Sequence, residues 1–239
     1  VFEGKCPAGN VSVQANHLDP VNKGEVVWTV DPMAVVFIGR LVNTGKVDFS
    51  RIIAVAGSAT ENPCHVKTVI GQSLSEILKG QLSNTENVRV INGNPLTGNL
   101  SCKDDYLWAN SSCVTSTPEN SCTDEMFGWI MPRFKDFSVN RSYFSCLQGK
   151  KEYDLDTRIK GGERHMIMSG EYDSVFPMDI FPEYLLKAMI AQDIDKMEQL
   201  GVYEVSPKDF ALAEFVCSSK QPLQQIVRQS LDMLRKENA

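Results

Sequence analysis

The hydrophobic period of this chain changes at about Asp179, and this change constrains the fold more than any other feature. Before it, short apolar runs are separated by Gly, Pro and Asn, which is typical of strands and turns. After it, apolar residues recur with the 3.6-residue period of a helix. The last such set is Leu223, Ile226, Val227, Leu231 and Leu234. Strands first and helices last predict an α+β fold with its helices at the C-terminus.

Local signals mark where these C-terminal helices begin and end. Pro182 stands at a first helical position, where proline is tolerated. A second short helix ends at Gly201, and Ser206-Pro207 is an N-terminal signature for a third. The final helix begins at Pro222. The predicted buried face of the first helix consists of Leu185, Leu186, Met189 and Ile190.

The middle of the chain has the order of a small β-grasp unit. Asp48–Ala56 predicts a buried strand, and the alternating segment from Cys64 predicts a half-buried one. Ser73 with Glu76 predicts a capping box on a helix of about two turns that ends at Gly80. A further strand follows near Val88. The resulting order is strand, strand, short helix, strand.

The other segments have weaker patterns, and the sequence predicts a structure for each of them. They are loop for Val1–Gly24, strand for Val26–Val30, strand or buried helix turn for Met33–Leu41, a polar insertion or long hairpin for Ser101–Thr123, and strands for Glu125–Pro132 and Phe134–Leu147.

Composition excludes several functional classes. The 239 residues have a net charge of −6 and no basic patch, which argues against nucleic acid as a partner. No apolar run approaches the about 18 residues that a membrane-spanning helix needs. The first residues have neither a starting Met nor the pattern of a signal peptide. We therefore expect the chain to be a piece of a longer protein.

Seven scattered cysteines define neither a zinc site nor a secreted disulfide framework. None forms a CxxC pair, and only three histidines are present. Free thiols in a reducing compartment are expected. A disulfide among Cys102, Cys113 and Cys122 is the alternative, because these three are close in sequence. The cysteines are Cys6, Cys64, Cys102, Cys113, Cys122, Cys146 and Cys217.

No catalytic constellation is visible in the residues. Gly161-Gly162 lacks the downstream Gly-Lys-Ser/Thr of a phosphate loop and predicts a tight turn. His17, His65 and His165 are isolated, so each is expected to be a partly exposed side chain. Asp193 and Asp195 predict a solvated helix edge instead of an acid–base pair. The residues alone predict a soluble α+β domain with no active site.

Cys217, at a predicted helix end, is the remaining candidate. A nucleophilic cysteine needs a base that nothing nearby in sequence supplies, which leaves a cysteine-dependent hydrolase as a weak third hypothesis. An iron–sulfur cluster would need about three further cysteines at short spacing.

A set of motifs along most of the chain resembles the NqrA family, which belongs to the sodium-translocating NADH:quinone oxidoreductases. The first group lies in the stretch from Tyr153 to Lys220. It comprises Gly161–Arg164, Gly170–Pro182, Leu200-Gly201 and Asp209–Cys217. The upstream group comprises Pro7–Gly9, Asp19–Val21, Ile38–Leu41, Thr44-Gly45 and Phe127–Ile130. The likeness covers nearly the whole chain and is more specific than any single short motif.

This resemblance implies the C-terminal half of a peripheral subunit on the cytoplasmic side of the bacterial inner membrane. The complex would move electrons from NADH to a quinone and export Na⁺. The implied cofactors (NADH, flavins and an iron–sulfur cluster) belong to partner subunits, with none in this half. The implied partners are the other subunits, including the membrane subunit, with quinone interaction associated with NqrA. The implied fold is similar to the flavin-binding subunit of respiratory complex I and to a ferredoxin-like electron-transport subunit.

The departures from the related motifs concern cysteines. The related cluster-binding motif is reduced here to Cys217, which the resemblance makes a remnant of a cluster ligand. Ala213 stands where many relatives have another cysteine, and Ser218-Ser219 replaces Pro-Gly. Cys6 occupies a position where the family has histidine. Cluster ligation by this chain is therefore not expected.

The resulting domain prediction has three parts: residues 1–50 as the remnant of a preceding domain and linker, 51–147 as a β-grasp, soluble-ligand-binding-like domain with an insertion at about 101–123, and 148–239 as a helical domain. The main hypothesis is a scaffold and docking element whose redox chemistry is done by neighbours. The alternative is a free-standing module that binds a quinone-like ring. Its pocket would be lined by Tyr106, Trp108, Phe127 and Trp129.

Overall fold

The computed structural model describes residues 1–82, 87–119, 132–149, 152–153, 155–159 and 162–238. The chain divides into two compact units. The helical unit consists of Val1–Val30 together with Ile159–Ala239, and the sheet unit consists of Asp31–Arg158. The three-part domain division stays a prediction.

The described strands all lie in the middle of the chain, and helices lie before and after them. The elements are α1 (Val11–Leu18), α2 (Pro32–Thr44), β1 (Ser50–Ala56), β2 (Cys64–Val69), α3 (Leu74–Ile77), β3 (Val88–Asn92), β4 (Asn99–Ser101), β5 (Cys113–Pro118), α4 (Pro182–Ala191), α5 (Ile194–Gln199), α6 (Ala211–Val216) and α7 (Leu223–Glu237). Short 3-10 helices cover Phe144–Gln148, Val202–Glu204 and Pro207–Phe210. The α+β class with C-terminal helices is confirmed.

The sheet unit is built on a five-stranded sheet of order β2-β1-β5-β3-β4. β1 pairs antiparallel with β2 and parallel with β5, and β3 pairs antiparallel with both β4 and β5. Alternate residues of the strands, including Ile53, Val55 and Val114, form a buried core with Leu74 and Ile77 of α3. The predicted order of strand, strand, short helix, strand is therefore confirmed.

The segment that the sequence predicts as a polar insertion contains the central strand of this sheet. β5 lies between β1 and β3, although its CVTSTP sequence lacks a strong apolar alternation. Its polar side chains are paired inside the fold: Thr115 donates to the Gly93 carbonyl at 2.8 Å, and Ser116 bonds the Thr60 hydroxyl at 2.6 Å. Because these bonds satisfy buried hydroxyls, a polar strand can occupy the middle of the sheet.

A glycine makes the contact between β1 and β5 possible. Gly57 follows β1 with φ of +127°, and a Cβ there would lie 2.0 Å from the carbonyl oxygen of Ser116. Only glycine has no Cβ and also adopts positive φ without strain. The close approach lets Ala59 donate its backbone N–H to the same carbonyl at 3.1 Å.

The structure corrects three predictions in the N-terminal third. The predicted loop Val1–Gly24 contains α1, which has a buried residue, Val13, on its inner side. Val26–Val30 forms no strand, because no described strand pairs with it. The predicted strand or buried turn at Met33–Leu41 belongs to helix α2, none of whose residues is buried.

Two further predictions concern residues near the end of the sheet unit. Phe134–Leu147 is not a strand: it consists of turns leading into the 3-10 helix Phe144–Gln148, since no described strand offers it ladder hydrogen bonds. The predicted strand Glu125–Pro132 lies outside the described residues except for Pro132.

Ser73 and Ser206 both stand at helix N-caps, as predicted, but only Ser206 makes the hydrogen bonds of a cap. Ser73 precedes α3, but the predicted capping box with Glu76 is not formed, because the Ser73 hydroxyl bonds that of Ser75 at 2.7 Å. The helix has four residues instead of the predicted two turns or so. Ser206 and Asp209 form a complete capping box at the start of the Pro207–Phe210 helix. The predicted helices at Pro182, before Gly201 and after Pro222 are confirmed as α4, α5 and α7.

The helical unit has the larger core. Leu185 and Leu186 of α4, Phe210, and Leu223 and Val227 of α7 are fully buried in it, as the helical period predicts. Ile190 departs from the predicted face, because its side chain is 51 % exposed. α1 contributes Val13 to the same core, so the two sequence-distant parts of this unit share one hydrophobic interior.

Candidate functional site

Cys217 is the one residue for which the sequence suggests a cofactor, and it lies fully buried at the C-terminal cap of α6. Its Sγ atom is 2.9 Å from the Tyr172 hydroxyl and accepts the backbone N–H of Gln221 at 3.5 Å. Burial and the hydrogen bond with Cys217 raise the pKa of Tyr172 above its usual range, so the phenol stays protonated. The thiol is thus enclosed by protein groups.

This environment does not fit a cluster ligand or a nucleophile. A cluster needs several thiolates converging on one point, and no set of His, Cys, Asp or Glu among the described residues could hold a metal. A reactive thiol needs access and a nearby base or positive charge. Cys217 instead has an aromatic hydroxyl and a backbone amide as its polar neighbours. Its position indicates a structural role in the helical core.

The motifs that carry the resemblance meet one another around Cys217. The backbone N–H of Arg164 donates to the Ser219 carbonyl at 2.9 Å, and the Gln221 side chain donates to the Arg164 carbonyl. Tyr172 comes from the Gly170–Pro182 motif and reaches Cys217 of the Asp209–Cys217 motif. Tyr172 therefore links the second motif to Cys217, and Arg164 of the first motif is bonded to the segment that directly follows Cys217. Gly161, and Phe127–Ile130 upstream, lie outside the described residues.

Glu183 is a buried carboxylate that fixes the Gly170 turn and that was not among the predicted site residues. Glu183 is 5 % exposed, and its Oε1 accepts the backbone N–H groups of Ser169 and Gly170 at 3.1 and 2.7 Å. The only sequence signal was an acidic residue in the first turn of a predicted helix, a position that usually indicates only a helix-dipole effect. Its bonding to a segment thirteen residues earlier depends on the tertiary fold.

A second missed group is Asp209, which joins α1 to the C-terminal helices. Its carboxylate accepts hydrogen bonds from Ser12 Oγ at 2.6 Å and Asn10 Nδ2 at 3.0 Å. It also accepts the Ser206 N–H at 2.8 Å and the Ser206 hydroxyl at 3.0 Å. Asp209 is 1 % exposed. The bonds with Ser206 fit the N-terminal signature at Ser206-Pro207, but nothing local predicts the bonds from α1.

A cleft of about 480 Å³ lies beside this joint in the helical unit. Its walls include the first turns of α1 and the residues from Tyr203 to Lys208. Asn16 donates to Glu204 across it, and Asn10 and Ser12 are bonded to Asp209. These polar side chains of the cleft are thus hydrogen-bonded within the protein.

The other predicted site residues are not brought together. His17, His65 and His165 are exposed and far apart in the sequence, and the described residues include no metal-binding group around them. Asp193 caps α5 and pairs with Lys196 at 2.7 Å, which lowers the pKa of Asp193. The described cysteines form no disulfide with one another, and Cys122 lies outside the described residues.

Of the four aromatic residues proposed to line a quinone-like pocket, the structure describes only Tyr106 and Trp108. Tyr106 and Trp108 are 64 % and 50 % exposed, so neither is enclosed in an apolar pocket. Phe127 and Trp129 lie outside the described residues. No observation on the described residues favours a quinone pocket built on these aromatics.

Comparison with known proteins matches two parts of the chain to family models. Residues 52–103 match the family model described as the NQRA C-terminal domain, and residues 1–47 match the one described as the NqrA second alpha/beta domain. The first match covers most of β1 and all of β2, β3 and β4, and it ends before the central strand β5.

Curated relatives match along almost the whole chain. The NqrA subunit of Na(+)-translocating NADH-quinone reductase is 33 % identical over 236 residues in Rhodopirellula baltica, 36 % over 237 in Pasteurella multocida and 38 % over 238 in Haemophilus influenzae strain PittGG. Each alignment covers 99 % of this chain and 52 % of the relative. Over the half that it spans, the chain is similar to these NqrA subunits, and two of its parts match NqrA family models.

The similarity to these relatives accounts for the resemblance carried by the motifs. The chain spans about half the length of the curated relatives it matches. Among the described residues, no helix is long and apolar enough to cross a membrane.

Proposed function

We propose that this chain is the C-terminal half of an NqrA subunit, which serves as a scaffold in a complex coupling NADH oxidation and quinone reduction to Na⁺ export. The observation that carries the proposal is the similarity over 99 % of the chain to proteins named as that subunit. In this role the three proposed parts, 1–50, 51–147 and 148–239, hold neighbouring subunits in place instead of transferring electrons.

The proposal assigns the redox cofactors to the partner subunits. NADH, the flavins and the iron–sulfur cluster are bound elsewhere in the complex, and the chain contributes binding surfaces. The packing of Cys217 supports this assignment, because its thiol is fully buried against Tyr172 and Gln221 instead of opening to other cysteines. A remnant cysteine retained as a core residue needs no metal.

The proposed place of the chain is the cytoplasmic side of the bacterial inner membrane, attached peripherally beside the membrane subunit. Quinone contact with NqrA is part of the same proposal. The support for this placement is the name of the relatives, which describes a component of a sodium-translocating quinone reductase.

The test is complementation of a strain that lacks NqrA with the full-length gene that includes this chain. Inverted membrane vesicles should regain Na⁺-stimulated quinone reduction by NADH and Na⁺ uptake, because the scaffold restores assembly. A gene truncated before this chain should fail in both assays. Full activity together with normal co-purification of the other subunits from the truncated gene would overturn the scaffold role.

The cofactor assignment is tested by Cys217→Ala in that full-length gene, with Cys146→Ala as the control at an exposed cysteine. We expect both purified complexes to keep the iron and flavin content per complex of the wild type. Loss of one cluster's iron from an otherwise assembled Cys217→Ala complex would assign a ligand to this chain and overturn the proposal.

A further inference from the structure

One side of helix α2 is apolar, regular and uncovered. Val35, Ile38 and Val42 recur at the i, i+3, i+7 spacing of a buried helix face, with Leu41 beside them. Their exposed fractions are 57 %, 56 %, 77 % and 44 % in the order Val35, Ile38, Val42, Leu41. We call these four residues the α2 face. Such a continuous apolar stripe on a helix marks a surface that packs against another element.

A different side of α2 already holds the helix to its own unit. The Phe37 ring packs edge-on against Phe49 at 5.6 Å between centroids. Arg40 donates to the Ser50 carbonyl at 2.6 Å, at the start of β1. Phe37 and Arg40 lie about a third of a turn or more around the helix from the middle of the α2 face. The α2 face is therefore not the side by which α2 joins the sheet unit.

The family match indicates what kind of element would cover α2. Residues 1–47 match part of a domain described as alpha/beta, yet they contain two helices and no strand. Helices of an α/β domain bury their apolar stripe on a β-sheet. Val26–Val30, just before α2 in the chain, has the β-branched and aromatic sequence of a strand, with Trp28 90 % exposed and no ladder partner among the described strands.

We propose that the α2 face packs on the β-sheet of the second alpha/beta domain, whose strands come from the part of the NqrA polypeptide that precedes the residues matched here. The family model for residues 1–47 is described as a second domain, and the model for residues 52–103 as the C-terminal domain. We therefore infer that the strands come from polypeptide upstream of these residues. The relatives are about twice as long as this chain, which leaves enough polypeptide for such a sheet.

The upstream sheet is favoured over a second copy of the chain as the occupant. Self-association would cover the α2 face but would leave an alpha/beta domain with no sheet and Val26–Val30 without a strand partner. The inference depends on the match to the NqrA family models and not on the scaffold role, so it can fail while the complex still assembles.

The first experiment compares hydrogen exchange of α2 in two proteins, residues 1–239 alone and full-length NqrA. Packing on a sheet should slow exchange of the Pro32–Thr44 amides by about tenfold or more in the full-length protein. The α7 amides serve as the reference and should change much less. Equal exchange of α2 in both proteins would overturn the proposal.

The second experiment places a charge on the α2 face with Ile38→Asp, and uses Asn43→Asp, on the exposed opposite side of α2, as the matched control. In residues 1–239 alone, neither change should alter the urea midpoint, since both side chains are exposed there. In full-length NqrA, Ile38→Asp should lower the midpoint and restore fast α2 exchange, and Asn43→Asp should do neither.

Two results would overturn the proposal. One is a full-length Ile38→Asp protein with the wild-type midpoint and wild-type α2 exchange. The other is a concentration-dependent dimer of residues 1–239 that Ile38→Asp abolishes, together with α2 exchange that does not slow in full-length NqrA. The second result would assign the α2 face to self-association. Val42→Ala provides a milder change whose smaller effect in the same direction supports the proposal.

Discussion

The helical unit and the sheet unit are stabilised in different ways. The helical unit has a large apolar core to which α1, α4, α7 and the 3-10 helix at Phe210 contribute. The sheet unit has a smaller apolar core and depends on a central strand whose buried side chains include hydroxyls. Loss of one apolar side chain should therefore be costly in the helical unit, whereas backbone spacing and polar pairing matter most in the sheet unit.

The largest expected effect is that of Phe210→Ala in the helical core. Phe210 is fully buried and its ring lies 4.9 Å from that of Phe176. Truncation of a buried aromatic costs about 3–5 kcal/mol of unfolding free energy. Hydrogen exchange of α4 and α7 should speed up while that of β5 stays unchanged. Ile190→Ala, at a half-exposed position of α4, should cost less than about 1 kcal/mol. Equal effects in both variants would contradict the buried aromatic core.

Gly57→Ala should be the most damaging single change in the sheet unit. An added Cβ would meet the Ser116 carbonyl of the central strand and impose positive φ on alanine, which together cost about 3 kcal/mol. Gly71→Ala is the control, because Gly71 also has positive φ but open space around it, and it should cost only about 1–2 kcal/mol. Urea unfolding measures both values. If Gly57→Ala lowered the unfolding free energy no more than Gly71→Ala, the close packing of Gly57 against β5 would not limit the stability of the sheet unit.

Asp209→Ala should weaken the attachment of α1 within the helical unit. It removes the charged acceptor of bonds from Asn10, Ser12 and Ser206 and leaves these partly buried donors without that partner, at a cost of about 2–3 kcal/mol. Exchange of the α1 amides should increase more than that of α7. The exposed Asp195→Ala is the control and should leave α1 unchanged. If the α1 amides of Asp209→Ala exchanged as slowly as those of the wild type, the role of Asp209 in attaching α1 would be contradicted.

The smallest expected effect is the pH dependence of the Arg89–Glu119 pair between β3 and the end of β5. Arg89 donates from Nε and Nη2 to the two Glu119 oxygens, at 2.6 and 2.5 Å, and lowers the pKa of Glu119. A carboxyl group whose pKa is lowered on folding stabilises the folded protein at any pH above its pKa in the unfolded chain. This stabilisation is lost as the pH falls through its pKa in the folded protein. Because the pair is about one-third exposed, the contribution is below about 1 kcal/mol.

Glu119→Gln tests this pair, since glutamine has no charge to lose. The difference in urea stability between wild type and Glu119→Gln should be constant near neutral pH and should shrink below about pH 4. A difference that grows as the pH falls would contradict the assigned sign.

The C-terminal helices were predictable because their signals are local. The helical period over Leu223–Leu234 and the N-terminal signature at Ser206-Pro207 each depend on residues close together in the chain, and a helix is present at each position. The family resemblance was equally accessible, since it depends on residue strings. β5 was not predictable, because its CVTSTP sequence is as polar as a loop. Its buried hydroxyls are satisfied only by hydrogen bonds to Thr60 and Gly93, which are distant in the chain.

Sequence patterns were sufficient for the α+β class, the positions of α4, α5 and α7, and the similarity to NqrA. The tertiary structure was needed to show that Ser101–Thr123 supplies the central strand, that α1 is bonded to Asp209, and that Cys217 is a core residue. The physical reason is distance along the chain. Ser12 and Asp209 are separated by 197 positions, and Ala54 pairs with Cys113, so no local pattern records either contact.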